Sequence, residues 1–323
     1  RHTRSASVSW VGDVYKRQGR RLPKVFRTAV MFVRTKAVRN GGSGIIPAGR
    51  VFNQISKRER VNMIQKAIIL AAGKGTRFLP YTRVVPKEML PVVDVPAIRF
   101  NIDEAVASGI KRLCIVTNST KYDLNHYFER EVLPEGLEIE YVFQDVPLGT
   151  GDAVLKTEAF AGGDPVVVMN GDDLMYTDGG VPVTRQLIDC YERHGKVVIG
   201  VQCVDESVIN KYSAVKAVSM CGRDIEINGI IEKPEASKAP SMYAALGRYV
   251  VTGEIYDILK HTPVSKINGE IILTDALNEY AEKFGCFACD FEGRRYDLGS
   301  KRGYLTAVTE FALRSAELGE WYK

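Results

Sequence analysis

The sequence predicts an α/β fold: an open, Rossmann-like mixed sheet, mostly parallel, with helices on both faces and a small antiparallel addition in the C-terminal half. Three observations carry this. From residue 64 to about 205, short apolar runs alternate with longer amphipathic stretches, the pattern of βαβ units. The first run, Ile68-Ile69-Leu70, is continuous in its apolar character, as in a parallel strand buried on both faces. Beyond residue 205 the strand-like runs crowd together, which implies antiparallel neighbours joined by short connections.

Taken in order, strands are expected at 66–71, 112–117, 138–143, 164–169 and 197–203, with helices between them at 98–108, 121–131, 150–159 and 183–194. Later strands are expected at 213–218, 225–232 and 243–251, followed by helices at 253–260, 274–283 and 302–317. No internal repeat or heptad run interrupts this order. Residues 63–323 therefore read as one domain, long enough to bury a large core.

The net charge of +5 over 323 residues conceals two unlike parts. Residues 1–62 hold 15 Lys/Arg against two acids, Asp13 and Glu59. The rest is acidic overall, with 29 basic and 37 acidic side chains, so no nucleic-acid surface is implied there. The leader lacks apolar periodicity and is rich in Arg, Ser and Gly, the composition of a disordered segment. A transit peptide, a nucleic-acid-binding arm and a membrane-surface patch are each compatible with it. The expectation adopted is plainer: Met63 is the native start, and 1–62 is upstream or vector-derived sequence.

Six cysteines lie at 114, 190, 203, 221, 286 and 289, most of them in apolar runs where Cys behaves as a small buried residue. Cys286-Phe-Ala-Cys289 is a single C-x-x-C, and in a strand its two thiols point to opposite faces, so it does not read as a zinc pair. A reduced, cytoplasmic setting fits. No apolar run approaches the ~20 residues of a membrane span.

Chemistry concentrates in the stretch after the first strand, Ala71-Ala-Gly-Lys-Gly-Thr-Arg-Phe-Leu-Pro80, and in Pro86-Lys-Glu-Met-Leu-Pro91. Gly73 and Gly75 let the backbone approach a phosphate closely and turn N–H groups toward it. Arg77 and Lys87 supply the charge a triphosphate needs. Neither the P-loop nor the dinucleotide fingerprint is present: no Gly-Lys-Ser/Thr follows, and Phe78 stands where a third glycine would be. A second apolar run, Val166–Met169, ends in Asn170-Gly171-Asp172-Asp173. Carboxylates beyond a strand's carboxyl end lie where open α/β sheets bind ligands, and hard oxygen ligands suit Mg²⁺. The four histidines (2, 126, 194, 261) fall in the leader or in polar stretches, and no G-x-S-x-G occurs.

These blocks together resemble the sugar-1-phosphate nucleotidyltransferases, and within them the bacterial UTP–glucose-1-phosphate uridylyltransferase branch. Further blocks keep that order: Gln144 with Leu148-Gly-Thr-Gly-Asp-Ala153, Glu232-Lys-Pro234, Gly247-Arg-Tyr249, Gly269–Ala276 and Tyr296-Asp-Leu-Gly-Ser-Lys301. The resemblance implies formation of UDP-glucose and pyrophosphate from UTP and glucose 1-phosphate by Mg²⁺-assisted in-line attack. It implies that Arg77, Lys87 and Lys233 act in catalysis. Ala72, Gly73, Gly75, Thr76, Glu88, Gln144 and Gly149 would bind the nucleotide; Gly171, Asp173, Glu232 and Gly247 the sugar; Asp172 and Asp297 the metal. Neither nucleic acid nor membrane is expected as a partner, and a homo-oligomer is.

Two departures qualify the resemblance. Tyr212-Ser-Ala-Val215 stands where the family commonly has Tyr-Gly, and added Cβ atoms there narrow the sugar pocket. The stretch between Glu129 and Glu138 is short where many family members carry a longer helical insertion, so the familiar oligomer contacts are not carried over by the resemblance. Thymidylyl or another nucleotide specificity is one alternative, although Glu88 after Lys87 favours uridylyl. A non-catalytic sugar-nucleotide-binding regulator is another, against which both Asp172 and Asp297 are retained.

Overall fold

The computed structural model describes residues 64–131, 133–265 and 269–322, so the leader expected over 1–62 lies outside the described residues. One compact unit runs from Ile64 to Glu310. Its strands are β1 (Lys66–Leu70), β2 (Pro91–Val92), β3 (Val95–Pro96), β4 (Arg112–Thr117), β5 (Glu138–Phe143), β6 (Val166–Asn170) and β7 (Asp173–Tyr176). They continue with β8 (Val198–Cys203), β9 (Ser213–Cys221), β10 (Asp224–Ile231), β11 (Tyr243–Val251), β12 (Cys286–Asp290) and β13 (Arg294–Asp297). The helices are α1 (Ala97–Ala107), α2 (Tyr122–Arg130), α3 (Thr150–Leu155), α4 (Glu158–Ala161), α5 (Val183–His194), α6 (Glu206–Ile209), α7 (Glu254–Leu259) and α8 (Leu273–Phe284), with α9 (Lys301–Arg314) beginning in this unit.

Nine strands form one sheet in the order β5-β4-β1-β6-β11-β8-β12-β10-β9. The first four are mutually parallel, as is β8 with β12. β1 shows why the apolar run is continuous: Ile68 belongs to one core, Ala67 and Ile69 to the other, and all three are fully buried. Alternate side chains leave opposite faces of a strand, so a strand covered by helices on both sides needs apolar residues at every position.

The late strands do more than form an addition. β9 and β10 extend the main sheet at one end, while β11 lies antiparallel between β6 and β8, inside it. Small antiparallel pairs, β2 with β3 and β7 with β13, stand apart from the main sheet. The helix expected over 150–159 breaks in two at Thr157, whose hydroxyl bonds the Val154 carbonyl and pairs with the Tyr256 hydroxyl. Cys286 and Cys289 fall in different cores, as opposite faces of β12 require.

A second unit begins at Phe311. Its described residues carry the end of α9 and the short helix α10 (Gly319–Tyr322). No helix among the described residues is long and apolar enough to cross a membrane.

Candidate active site

The glycine-rich loop leaves β1 and bends back over Lys87. A Cβ on Gly73 would lie 3.4 Å from Lys87 Nζ, and Gly75 takes a left-handed φ of 64° with its carbonyl accepting from Thr82 Oγ1 at 2.7 Å. The short turn of helix Thr76–Phe78 then presents Arg77, which is exposed, as are Gly73 and Thr76. Ala72 is buried beneath the loop.

β6 ends at Asn170, and Asp172 lies just beyond its carboxyl end. In the β7–β13 ladder Asp173 stands opposite Asp297, and Leu298 N–H donates to the Asp172 carbonyl at 2.8 Å. This pairing brings two carboxylates distant in sequence to one place. A Cβ on Gly299 would lie 2.6 Å from Asp172 Oδ2, 2.7 Å from Arg77 Nη2 and 2.9 Å from Asp297 Oδ1. Gly299 thus leaves a small space that two carboxylates and a guanidinium face. Lys87 Nζ donates to Asp172 Oδ2 at 2.7 Å. Burial alone would raise the Asp172 pKa, but Lys87 and then Arg77 outweigh it and hold the carboxyl below its usual range. Burial works in the opposite sense on Lys87, yet Asp172 and Glu88 keep the ammonium above its ordinary value. Two hard carboxylate donors around one vacant Cβ position fit a divalent cation such as Mg²⁺, which takes one or two carboxylates and leaves its remaining positions to other oxygens.

Asp173 does not face that space. It is buried, bonded by Arg295 Nε at 2.7 Å and by Asn170 Nδ2 at 3.1 Å. A Cβ on Gly247 would approach Asp173 Oδ2 to 2.0 Å. Asp173 and Gly247, both expected at the sugar, therefore make a structural joint between β7, β11 and β13. Gly171 packs closely as well. Its N–H donates to the Leu70 carbonyl and its own carbonyl accepts from Asn101, and a Cβ would meet that Leu70 oxygen at 2.7 Å. It is glycine because β1 passes too close for a side chain.

Glu88 lies at the base of the glycine loop. It is fully buried, with Oε2 accepting from Lys121 Nζ at 2.8 Å, while Lys121 also donates to the Ala71 carbonyl at the end of β1. It anchors the base of the glycine loop and does not face the cleft. Its Oε1 is buried without a hydrogen-bond partner in the structure.

Gln144 and Gly149 are in direct contact. Gln144 Nε2 donates to the Gly149 carbonyl at 2.9 Å and to Asp152 Oδ2 at 2.7 Å. Gly149 has φ 100°, and a Cβ there would lie 2.4 Å from the Ile271 carbonyl oxygen. Gly149→Ala is expected to strain this turn by ~1–3 kcal/mol, lower Tm by several degrees, and raise KM for the nucleotide more than it lowers kcat. Thermal melts with steady-state kinetics check this.

Glu232 and Lys233 follow β10. Lys233 has φ 43°, a left-handed conformation that costs a non-glycine residue ~1–3 kcal/mol and is typical of functional positions. Its N–H donates to the Tyr212 carbonyl at 3.1 Å, and its ammonium lies 3.2 Å from Glu232 Oε1. Ser213, the departure from Tyr-Gly, donates its hydroxyl to Glu232 Oε2 and lies 3.3 Å from Thr274 Oγ1. Its side chain is tied to the very carboxylate expected to hold the sugar.

Lys233 shares a cleft of about 700 Å³ with Arg77 and Asp297, and with Lys211, Arg295 and Arg302, which the sequence reading did not single out. Arg295 lies beside the matched Tyr296-Asp block, and that adjacency was the available signal. Arg248, in the middle of the Gly247-Arg-Tyr249 block, was also passed over. It is fully buried and binds Glu104 Oε2 at 2.7 Å, Asn101 Oδ1 at 2.6 Å and the Asp173 carbonyl at 3.0 Å.

The nucleotidyl transferase family profile matches residues 66–313. A UTP–glucose-1-phosphate uridylyltransferase of Bacillus subtilis (strain 168) is 41% identical over 275 residues, covering 79% of this chain and 93% of its own length. A crystal structure of UDP-glucose pyrophosphorylase complexed with UDP-glucose superposes with a TM-score of 0.73 at 35% identity, covering 77% of this chain and 98% of that one. A UTP-bound UGPase from Acinetobacter baumannii gives 0.74 at 33% identity, covering 80% and 97%.

Proposed function

Because the chain belongs to the nucleotidyl transferase family, we propose that it makes UDP-glucose and pyrophosphate from UTP and α-D-glucose 1-phosphate. The observation that carries the chemistry is the convergence of Asp172, Asp297 and Arg77 on Gly299 beside a cationic cleft. The uridylyl and glucosyl choice is supported by the relatives. A thymidylyl specificity is not favoured.

The attacking group, the phosphate oxygen of glucose 1-phosphate, is already an anion, so no general base is required. No histidine or cysteine among the described residues lines the cleft, in keeping with direct transfer. The barrier lies in bringing two polyanions together and in stabilising the leaving pyrophosphate. The amides of Gly73–Thr76 and the Arg77 guanidinium bind the triphosphate. Lys233, with Arg295 and Arg302 on the same cleft wall, holds the sugar phosphate and offsets its repulsion. Glu232 accepts from sugar hydroxyls, while Gln144 and Gly149 read the pyrimidine edge. When bound by Asp172 and Asp297, Mg²⁺ supplies Lewis-acid neutralisation of phosphate charge. Lys87, paired to Asp172 through Oδ2, keeps that carboxylate ionised and aimed. We place the reaction in the cytoplasm, where the free cysteines stay reduced, with a homo-oligomer as the working form.

Incubation with UTP, glucose 1-phosphate and Mg²⁺ followed by anion-exchange analysis is expected to yield UDP-glucose. A folded chain that binds UDP-glucose and forms none would instead be a sugar-nucleotide-binding regulator.

A further inference from the structure

Although Cys286 and Cys289 are divided between two cores, Cys289 meets other groups that can ligate a metal. Asp224 and Cys289 are directly opposed in the β10–β12 ladder, so their side chains leave the same face of the sheet. α5 packs over that face and carries Cys190 and His194 one helical turn apart. Cys190 Sγ, His194 Nε2 and an Asp224 carboxylate oxygen all lie within 4.8 Å of one another. Cys190 lies beside both Cys289 and Asp224 and interacts electrostatically with each. His194 Nε2 lies 2.8 Å from Asp224 Oδ2, and its ring stacks on Phe287 with centroids 3.7 Å apart, which fixes the plane of the imidazole. The cluster sits at the Asp224 end of β10, the end opposite Glu232, and the uridylyl-transfer chemistry uses none of it.

We propose that Cys190, His194, Asp224 and Cys289 form a zinc site. Two sulfurs, one imidazole nitrogen and one carboxylate oxygen make a tetrahedral donor set suited to Zn²⁺, whereas Mg²⁺ takes hard oxygens. Bonds of about 2.0–2.3 Å to a tetrahedral zinc put its ligand atoms roughly 3.5 Å apart, so Cys190, His194 and Asp224, whose ligand atoms lie within 4.8 Å of one another, need to close by only about 1 Å, while Cys289 joins them from the register position opposite Asp224. Arg193 supports the arrangement. Its Nε and Nη2 bond Asp224 Oδ2 and Oδ1, both at 2.8 Å. It can keep Oδ1 while the metal takes Oδ2, orienting the carboxylate and offsetting the single negative charge that two thiolates, one carboxylate and Zn²⁺ leave. Binding displaces the two thiol protons to solvent, and the imidazole proton resides on Nδ1 so that the Nε2 lone pair faces the metal.

The test uses the full chain, reduced with a phosphine and stripped of metal, titrated with Co²⁺ and then with Zn²⁺ against a chromophoric chelator. One equivalent of Co²⁺ is expected to give the intense d–d bands of a tetrahedral site and a thiolate-to-cobalt charge-transfer band, both abolished by Zn²⁺. Cys289→Ser and His194→Ala are each expected to weaken zinc binding at least tenfold, while Cys203→Ser and Cys221→Ser, at exposed positions, leave it unchanged. His194 is only partly buried, so its alanine variant remains informative if a core cysteine variant fails to fold; circular dichroism identifies such a failure. Folded, reduced protein showing no charge-transfer band would overturn the proposal, as would zinc affinity indifferent to His194→Ala.

Discussion

Asp172→Asn is expected to lower turnover by about three orders of magnitude while the chain stays folded. The substitution keeps the shape of the side chain but removes the charge that Lys87 Nζ and Arg77 face. It also removes one of the two carboxylates at the Gly299 space, and an amide oxygen is a poorer ligand for a hard divalent ion. The fold should tolerate the change because Asp172 lies beyond the end of β6, outside the sheet. Lys87 also retains Glu88 as a second anionic neighbour. Circular dichroism and pyrophosphate release at saturating Mg²⁺ read the two halves of this expectation. Activity close to that of the unsubstituted chain would remove Asp172 from the metal-binding role.

Arg248→Leu is expected to be the most destabilising single change, costing ~3–5 kcal/mol, because truncating one partner of a buried ion pair strands the other. Arg248 is fully buried, and Glu104, its partner at 2.7 Å, has a side chain only 7% exposed. The same guanidinium bonds Asn101 and the Asp173 carbonyl, so it ties α1 to the turn that carries Asp172. In a domain of this size each kcal/mol moves Tm by ~2–4 °C, and a fall of roughly 10 °C is expected. Glu104→Gln paired with Arg248→Leu should recover part of that loss, since the stranded charge is gone. Melting curves of the single and double variants check both statements, and additive losses would contradict the coupling.

Much of the fold was legible because its signals are local. The continuous apolar run of β1 and the turn residues after it announce a buried parallel strand and a glycine-rich loop without reference to the rest of the chain. β7 and β13 were not legible: each spans four residues and pairs with a segment more than a hundred positions away, so no periodicity marks them. The interior place of β11 was hidden for a related reason, since sheet order is decided by pairing across the molecule.

The site divides along the same line. Residues that make contact through their own loop, such as Gly73, Arg77 and Lys87, could be read from composition and spacing. Asp173, Gly171 and Gly247, expected at the sugar, also make close packing contacts that only the assembled strands show. Arg248 and Lys121 were missed because a buried cation is recognisable only from the carboxylate that faces it. Ser213 was read as added bulk, whereas its hydroxyl is bound to Glu232.

The most direct measurement is pyrophosphate release by the purified chain with glucose 1-phosphate and Mg²⁺, with UTP, dTTP and ATP assayed in parallel and each repeated with EDTA. Uridylyl transfer at the Gly299 site predicts strong UTP-dependent release that EDTA abolishes. It also predicts only partial discrimination against dTTP, since one methyl group is worth ~1–3 kcal/mol in a pocket. Release that persists in EDTA, or no release with any nucleotide from folded protein, would contradict it.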